Sequence, residues 1–210
     1  METYTLPHLP PNLRVLHVAY FENVTNAPDI RRRLVAAATA PGAEGEAART
    51  AVDFAFIEAG LLVSKEHLLT GALAALLTSL PQQARAELPA PPEPKTRSHN
   101  LHSEVLMALS PNNNITDAIR RHGVGDGTTR LAVVKFAAEG SSQAEVYGAI
   151  ADVVKGELTP LDALDDAARI DWARVDKVYK LGEMNQLKVD DIPRRKVAAV
   201  VNTVAVKHVT

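Results

Sequence analysis

Apolar residues recur along this chain with two periods, and the switches between them outline its elements. From Arg14 to Val24 the residues Val15, Leu16, Val18, Tyr20, Phe21 and Val24 make a β-rich run that reads as a first strand packed on at least one face. Asn26, Pro28 and Asp29 then supply a helix start, namely a cap, a residue pre-set for the first turn and a carboxylate at the positive end. Ile30, Leu34 and Val35 are predicted to face inward. Residues 39–50 are small, polar and interrupted by glycine, which predicts a surface loop. Val52 to Val63 reads as a second strand with Phe54, Phe56 and Ile57 as its body. Ser64 caps a helix whose Leu68, Leu69, Leu73, Leu76 and Leu77 form a wide apolar face ending before Pro81.

The proline-rich stretch from Pro81 to Pro94 predicts a semi-extended loop. Leu131 to Ala137 is the most continuous strand signal and belongs at the sheet centre. Beyond it the pattern is helical. Ser142 with Glu145 makes a capping box for a helix ending at Gly156, and Thr159-Pro160 opens a short helix with Leu161 and Leu164 inward. Asp171 starts a helix over Trp172 to Leu181, closed by Gly182. Pro193 starts the last, running to His208, with Val197, Val200, Val201 and Val204 at helical spacing. Three or four strands among about seven helices, not strictly alternating, predict an α+β fold: a single domain over residues 1–210 with a small, mainly antiparallel sheet surrounded by helices.

Composition narrows the chemistry. A formal charge of −2 gives no global attraction for nucleic acid, so any such binding needs a local patch. The absence of cysteine removes disulfides, thiolate zinc sites and thiol nucleophiles, and suits the cytosol or nucleus. The first residues lack the apolar stretch of a secretory signal, and no apolar run approaches the roughly 20 residues that span a bilayer, so a soluble chain without membrane contact is predicted.

The local patch is sought in residues 95–123, a basic lead-in, a short helix, an asparagine-rich turn and a second helix. Lys95, Arg97 and His99 alternate towards a helix start, where the dipole opposes cations and a phosphate partner would use them directly. Asn112, Asn113 and Asn114 suit a turn and a cap, but three exceed what one cap requires, leaving one or two amides to face outward. Arg120, Arg121 and His122 complement the negative end of the second helix. His99 and His102 are three apart but have no third ligand at recognisable spacing, so no metal site is predicted. Gly123, Gly125 and Gly127 lack the Lys-Ser/Thr of a phosphate loop and follow a helix rather than a strand, which makes them a turn. Arg31, Arg32 and Arg33 spread around a helix as a solvated face. Arg194, Arg195 and Lys196 open the last helix at its disfavoured end with the valine stripe behind them. That makes the helix a candidate docking surface, although core packing is the commoner use of such a stripe.

The segments Leu101-His-Ser-Glu104, Leu109-Ser-Pro-Asn-Asn-Asn-Ile115 and Ala118-Ile-Arg-Arg-His-Gly123 closely resemble the signature of the Cgi-type subunit of the KEOPS/EKC complex, the PRPK-binding protein (TPRKB) family. The resemblance extends in order to Phe21-Glu-Asn-Val-Thr-Asn-Ala27, Ser64-Lys-Glu-His-Leu68, Leu131-Ala-Val-Val-Lys135 and Val175-Asp-Lys-Val-Tyr-Lys-Leu181. Residues 39–50, 81–94 and 182–193 fall outside it and look like the insertions of a fungal member. It implies a single α/β domain without enzymatic activity or cofactor, in the complex that makes threonylcarbamoyladenosine beside the anticodon of tRNA. It further implies direct contact with a PRPK-type atypical kinase and ATPase, and through it with the Kae-type (OSGEP) catalytic subunit. In archaeal members the subunit holds the single-stranded 3′ CCA end of tRNA. Fungal relatives are linked to telomere maintenance and transcription, so nucleus, cytoplasm and telomeric chromatin are the expected locations. His99 stands where relatives often carry Lys or Arg, so the field there is weaker and pH-dependent.

Candidate RNA contacts are therefore Lys65, Lys95, Arg97, His99, Asn113, Asn114 and Arg120, and candidate partner contacts are Arg194, Arg195, Val197, Val200, Val201 and Val204. A protein-interaction regulator that acts on the kinase without touching RNA stays open, and the near-neutral charge favours it. A hydrolase using His99 and His102 is disfavoured, because no carboxylate cluster or nucleophile accompanies them.

Overall fold

In the computed structural model, which describes residues 1–80, 95–98, 100–186 and 188–207, two long strands pair along the middle of the molecule. β2 (Val15–Glu22) runs antiparallel to β4 (Leu131–Ala137), with Val15 opposite Ala137 and Phe21 opposite Leu131. β3 (Ala55–Glu58) joins the far side of β4, while β1 (Glu2–Thr5) and β5 (Glu157–Thr159) both pair with β2. The order is β1-β2-β4-β3, every pairing is antiparallel, and β4 is internal as its apolar run predicts.

Alternation along the strands feeds two cores. Leu16, Val18, Tyr20, Ala132, Val134 and Phe136 face a helical layer of α3 (Lys65–Ser79) and α4 (Leu101–Leu109). Ala19, Phe21, Phe56, Leu131 and Val133 face Ile30 and Ala37 of α1 (Ala27–Thr39) and Ile150 and Val153 of α6 (Gln143–Val153). A sheet covered on both faces has no polar face to show, which is why its two long strands read as nearly unbroken apolar runs. A third cluster, Leu61, Val63, Ile170, Val175, Tyr179, Leu181 and Val200, ties α7 (Trp172–Tyr179) and α8 (Ile192–Val206) to the 3-10 turn after β3.

Several expectations are corrected. Residues 39–50 contain most of α2 (Gly42–Ala51) rather than a loop: Ala, Glu and Arg favour a helix, and Gly45 lies so close to the Ala40 carbonyl that a Cβ would come within 1.9 Å of its oxygen. The second strand is four residues long and passes into the 3-10 turn Ala59–Leu61. Val35 and Leu77 are exposed, because the buried face of each helix is narrower than its apolar content. β1 and β5 were not foreseen. Asn26 does not cap α1 with its side chain; it accepts from Lys155 N at 2.9 Å and donates to Val153 O at 2.8 Å. Lys180, not Gly182, takes the left-handed position that closes α7, with φ 57°. The loop expected at 81–94, together with His99 and His208, lies outside the described residues. No helix among the described residues is long and apolar enough to cross a membrane.

Candidate functional site

The lead-in, the asparagine turn, α5 (Ile115–His122) and the end of α8 gather around α4. Lys95 N donates to Ser79 O at 2.8 Å, hooking the lead-in onto the end of α3, and Ser98 N donates to Glu104 Oε1 at 2.5 Å. Asn100 caps α4 through its side-chain oxygen on Ser103 N at 2.8 Å. Lys95 and Arg97 are left exposed at this helix start, where the buried Glu104 carboxylate offsets the dipole that opposes them.

At the other end of α4 the three asparagines divide their work. Asn112 is a brace: its side-chain oxygen accepts from Asn114 N at 3.1 Å and its amide donates to Asp117 Oδ2 at 2.7 Å. Asn114 caps α5 by accepting from Asp117 N at 3.1 Å. Asn113 is exposed and makes no side-chain hydrogen bond among the described residues, so one amide faces outward as the excess over one cap implies. Asp117 is the hub. It pairs with Arg120 Nη2 at 2.5 Å and Arg121 Nε at 2.7 Å, and its bonds to Arg120, Asn112 and Arg121 hold its carboxyl well below the usual range. From α8, Lys207 Nζ donates to the carbonyls of Met107, Ser110 and Asn112.

Beyond α5 opens a cleft of about 210 Å³ lined by Arg120, Arg121, Arg174 and Glu58 and by the glycines of the 123–127 loop. Arg174 Nη1 pairs with Glu58 Oε2 at 3.0 Å, and Gly125 N donates to Thr128 Oγ1 at 3.0 Å, which closes the glycine run as a turn. Arg121 and Arg174 join Arg120 here without a signal in the sequence. Arg121 is explained as a helix-end cation, and Arg174 lies over fifty positions away on α7.

The other candidates separate. Lys65 is held by Asp162 at 2.8 Å and Glu2 at 2.9 Å, and its hydrogen bond to Asp162 leads the causes that raise its pKa. His102 is buried, with Nδ1 2.8 Å from Asp53 Oδ1, and Asp53 also takes Lys135 Nζ at 2.5 Å; this network ties α4 to the sheet. Among the described residues no group of three ligating side chains could hold a metal. On α8, Arg194 and Arg195 are exposed and Val197 and Val201 half-buried. Val200 and Val204, at 0% and 1% exposure, are packing residues of the chain's own interior. This corrects the view of the whole stripe as an open surface.

His67 and His122 are both buried, and this corrects the reading of His122 as a helix-end cation, because burial keeps its ring neutral. Tyr179 Oη donates to Leu109 O at 2.5 Å and so accepts from His67 Nε2 at 3.1 Å, while Val63 N donates to His67 Nδ1 at 3.4 Å. These bonds fix a neutral His67 with its proton on Nε2. Among the described residues neither ring nitrogen of His122 has a hydrogen-bond partner. Burial, helped by repulsion from His122, pushes His67 down to about 3, and burial, helped by Arg121 and Arg174, pushes His122 down to about 3.

Comparison with known proteins follows the chain almost end to end. The family described as "Kinase binding protein CGI-121" matches residues 21–208. A protein of Cryptococcus neoformans named "EKC/KEOPS complex subunit CGI121" is 51% identical over 230 aligned residues, covering 100% of both chains. Proteins of the same name from Aspergillus terreus and Yarrowia lipolytica are 30% and 31% identical, covering 100% and 87% of this chain and 98% and 88% of theirs.

Proposed function

The chain belongs to the CGI-121 family of kinase-binding proteins, and on that premise we propose that it is a non-catalytic subunit of an EKC/KEOPS complex, the assembly named for its relatives. The match to the Cryptococcus subunit over the whole of both chains carries this reading. The subunit docks a PRPK-type atypical kinase through the outward face of α8, with Arg194, Arg195, Val197 and Val201 as contacts. Through that kinase it reaches the Kae-type (OSGEP) catalytic subunit that modifies tRNA.

Its contribution is positional. The single-stranded 3′ CCA end of tRNA lies along Lys95, Arg97, Asn113, Asn114 and Arg120, with cations holding phosphates and the amides reading base edges. The arginine-lined cleft extends this surface. In this reading the site residues bind and orient the RNA and perform no turnover. The protein works in nucleus and cytoplasm, and at telomeric chromatin. A second reading, regulation of the kinase without RNA contact, is favoured by the formal charge of −2 and by the carboxylate partners of Lys65 and Arg120.

Co-purification from the native host, with bound proteins and RNA identified, tests membership of the complex. Titration of tRNA with and without its CCA nucleotides tests the RNA role. Weaker binding on CCA removal, and again on the double change Lys95→Glu with Arg97→Glu, is expected. Unchanged binding in both tests leaves the protein-interaction reading.

A further inference from the structure

An ammonium group has three N–H donors, and Lys207 directs them at three carbonyls. The Met107 and Ser110 carbonyls lie at the end of α4, where a cation complements the helix dipole. The third, Asn112 O at 2.8 Å, belongs to the asparagine turn itself. The donor arrives from the far end of the chain on α8, which Val200 and Val204 anchor in the interior. The turn that carries Asn113 and Asn114 is thus braced from within by Asn112 and Asp117 and from outside by α8.

We infer that Lys207 is a positioning residue for the asparagine turn, so that the geometry offered to a ligand by Asn113 and Asn114 depends on the seating of α8. The inference rests on the reading of this turn as an RNA contact, but its structural half can be judged without it. Simple helix capping would require only the Met107 and Ser110 carbonyls; the bond to Asn112 O reaches past the helix into the turn.

The charged and titratable groups facing Lys207 are Arg97 from the lead-in, Glu104 from α4 and the neutral His122 from α5. Burial, helped by Arg97 and opposed by Glu104, brings the Lys207 pKa down to about 8. In the opened turn the amine is solvated and titrates near 10.5, so the opened state binds more protons between about 8 and 10.5 and the brace is held no less firmly as pH rises through that window.

The test follows hydrogen exchange in the full chain at the amides of Asn114 and Asp117, which donate to Asn112 and Asn114. Rates are corrected for intrinsic exchange, the amides of β4 serve as internal reference, and a CCA-ended oligonucleotide is titrated in parallel. Lys207→Met should speed exchange at the turn roughly tenfold at pH 7, the scale of one lost hydrogen bond to a charged group, with β4 unchanged, and should weaken oligonucleotide binding by a similar factor. At pH 9, where the amine is largely neutral, the unsubstituted protein should exchange at the turn no faster than at pH 7, while Lys207→Met stays faster at both. Unchanged exchange at the turn in Lys207→Met, or exchange in the unsubstituted protein that rises to the Lys207→Met rate at pH 9, overturns the inference. If Lys207→Met loosens β4 as well, Lys207→Arg decides, since it keeps charged donors at this position: retained protection at the turn supports the brace and lost protection overturns it. If the oligonucleotide fails to bind the unsubstituted protein, the RNA reading fails and exchange alone judges the brace.

Discussion

Lowering the pH from 8 to 5 should destabilise this protein through two imidazoles. His67 and His122 are 0% exposed, and burial holds each down to about 3 in the folded chain. In the unfolded chain a histidine titrates near 6.5. Between these values the unfolded state binds more protons, so the stability these rings allow is fully present above about pH 6.5 and is lost as pH falls towards 3. At pH 5 a histidine displaced from about 6.5 to about 3 removes about 2 kcal/mol, so the pair removes about 4 kcal/mol, a large part of the 5–15 kcal/mol typical of a domain. His17 and His102 are also lowered chiefly by burial and act in the same direction. The depressed carboxyls of Asp53 and Asp117 act only at lower pH, so the window from 6.5 to 5 isolates the histidines. Urea unfolding followed through Trp172 at several pH values measures the effect. His122→Leu replaces a ring with no partner, so it should be nearly neutral at pH 8 and recover about 2 kcal/mol at pH 5. Equal stability at pH 8 and pH 5, or an unchanged pH dependence in His122→Leu, refutes the reasoning.

Three further outcomes are expected. Ser64→Ala removes the acceptor for His67 N at 3.0 Å and should cost about 1 kcal/mol in urea unfolding. Truncation after Thr203 removes the buried Val204 together with Lys207, so it should lower stability by about 2–4 kcal/mol and does not isolate docking. The double change Ala198→Arg with Asn202→Arg, on the exposed side of α8, should instead leave the melting temperature unchanged and weaken kinase binding at least about tenfold in calorimetry.

What the sequence made legible was what local chemistry decides. β2 and β4 stood out because both faces are covered. The starts of α3 and α5 stood out because Ser64 and Asn114 cap in place, with partners three residues away. What stayed hidden depends on distant partners. β1 and β5 have four and three residues and are strands because β2 pairs with them. The division of α8 into a buried side at Val200 and Val204 and an open side at Arg194 and Arg195 is set by packing on α3 and by the cluster Val200 shares with α7 and the turn before α3. The cleft needs Arg174 from α7 beside Arg121 from α5, and the brace on the turn needs Lys207, about a hundred positions from the carbonyls it meets. Spacing within an element reveals caps and faces; it carries no signal for such encounters.

The pairing of the site's cations sets how strongly salt should oppose RNA binding. Each phosphate neutralised on a single strand contributes about −0.7 to the slope of log affinity against log salt. If Lys65, Lys95, Arg97, Arg120 and Arg121 all acted, the slope would be near −3.5 by that rule. Lys65, Arg120 and Arg121, however, already sit against Glu2, Asp162 and Asp117, and a phosphate gains little from a cation whose charge is balanced in place. Lys95 and Arg97 pair with no carboxylate among the described residues, so they should carry most of the counterion release and give a slope near −1.4. Fluorescence anisotropy of a CCA-ended oligonucleotide between 50 and 300 mM salt reads this directly, and Lys95→Glu with Arg97→Glu should flatten it. A slope near −3.5 that survives that double change would mean that the paired arginines release their carboxylates to the RNA, and would shift the centre of the site from the lead-in to the cleft.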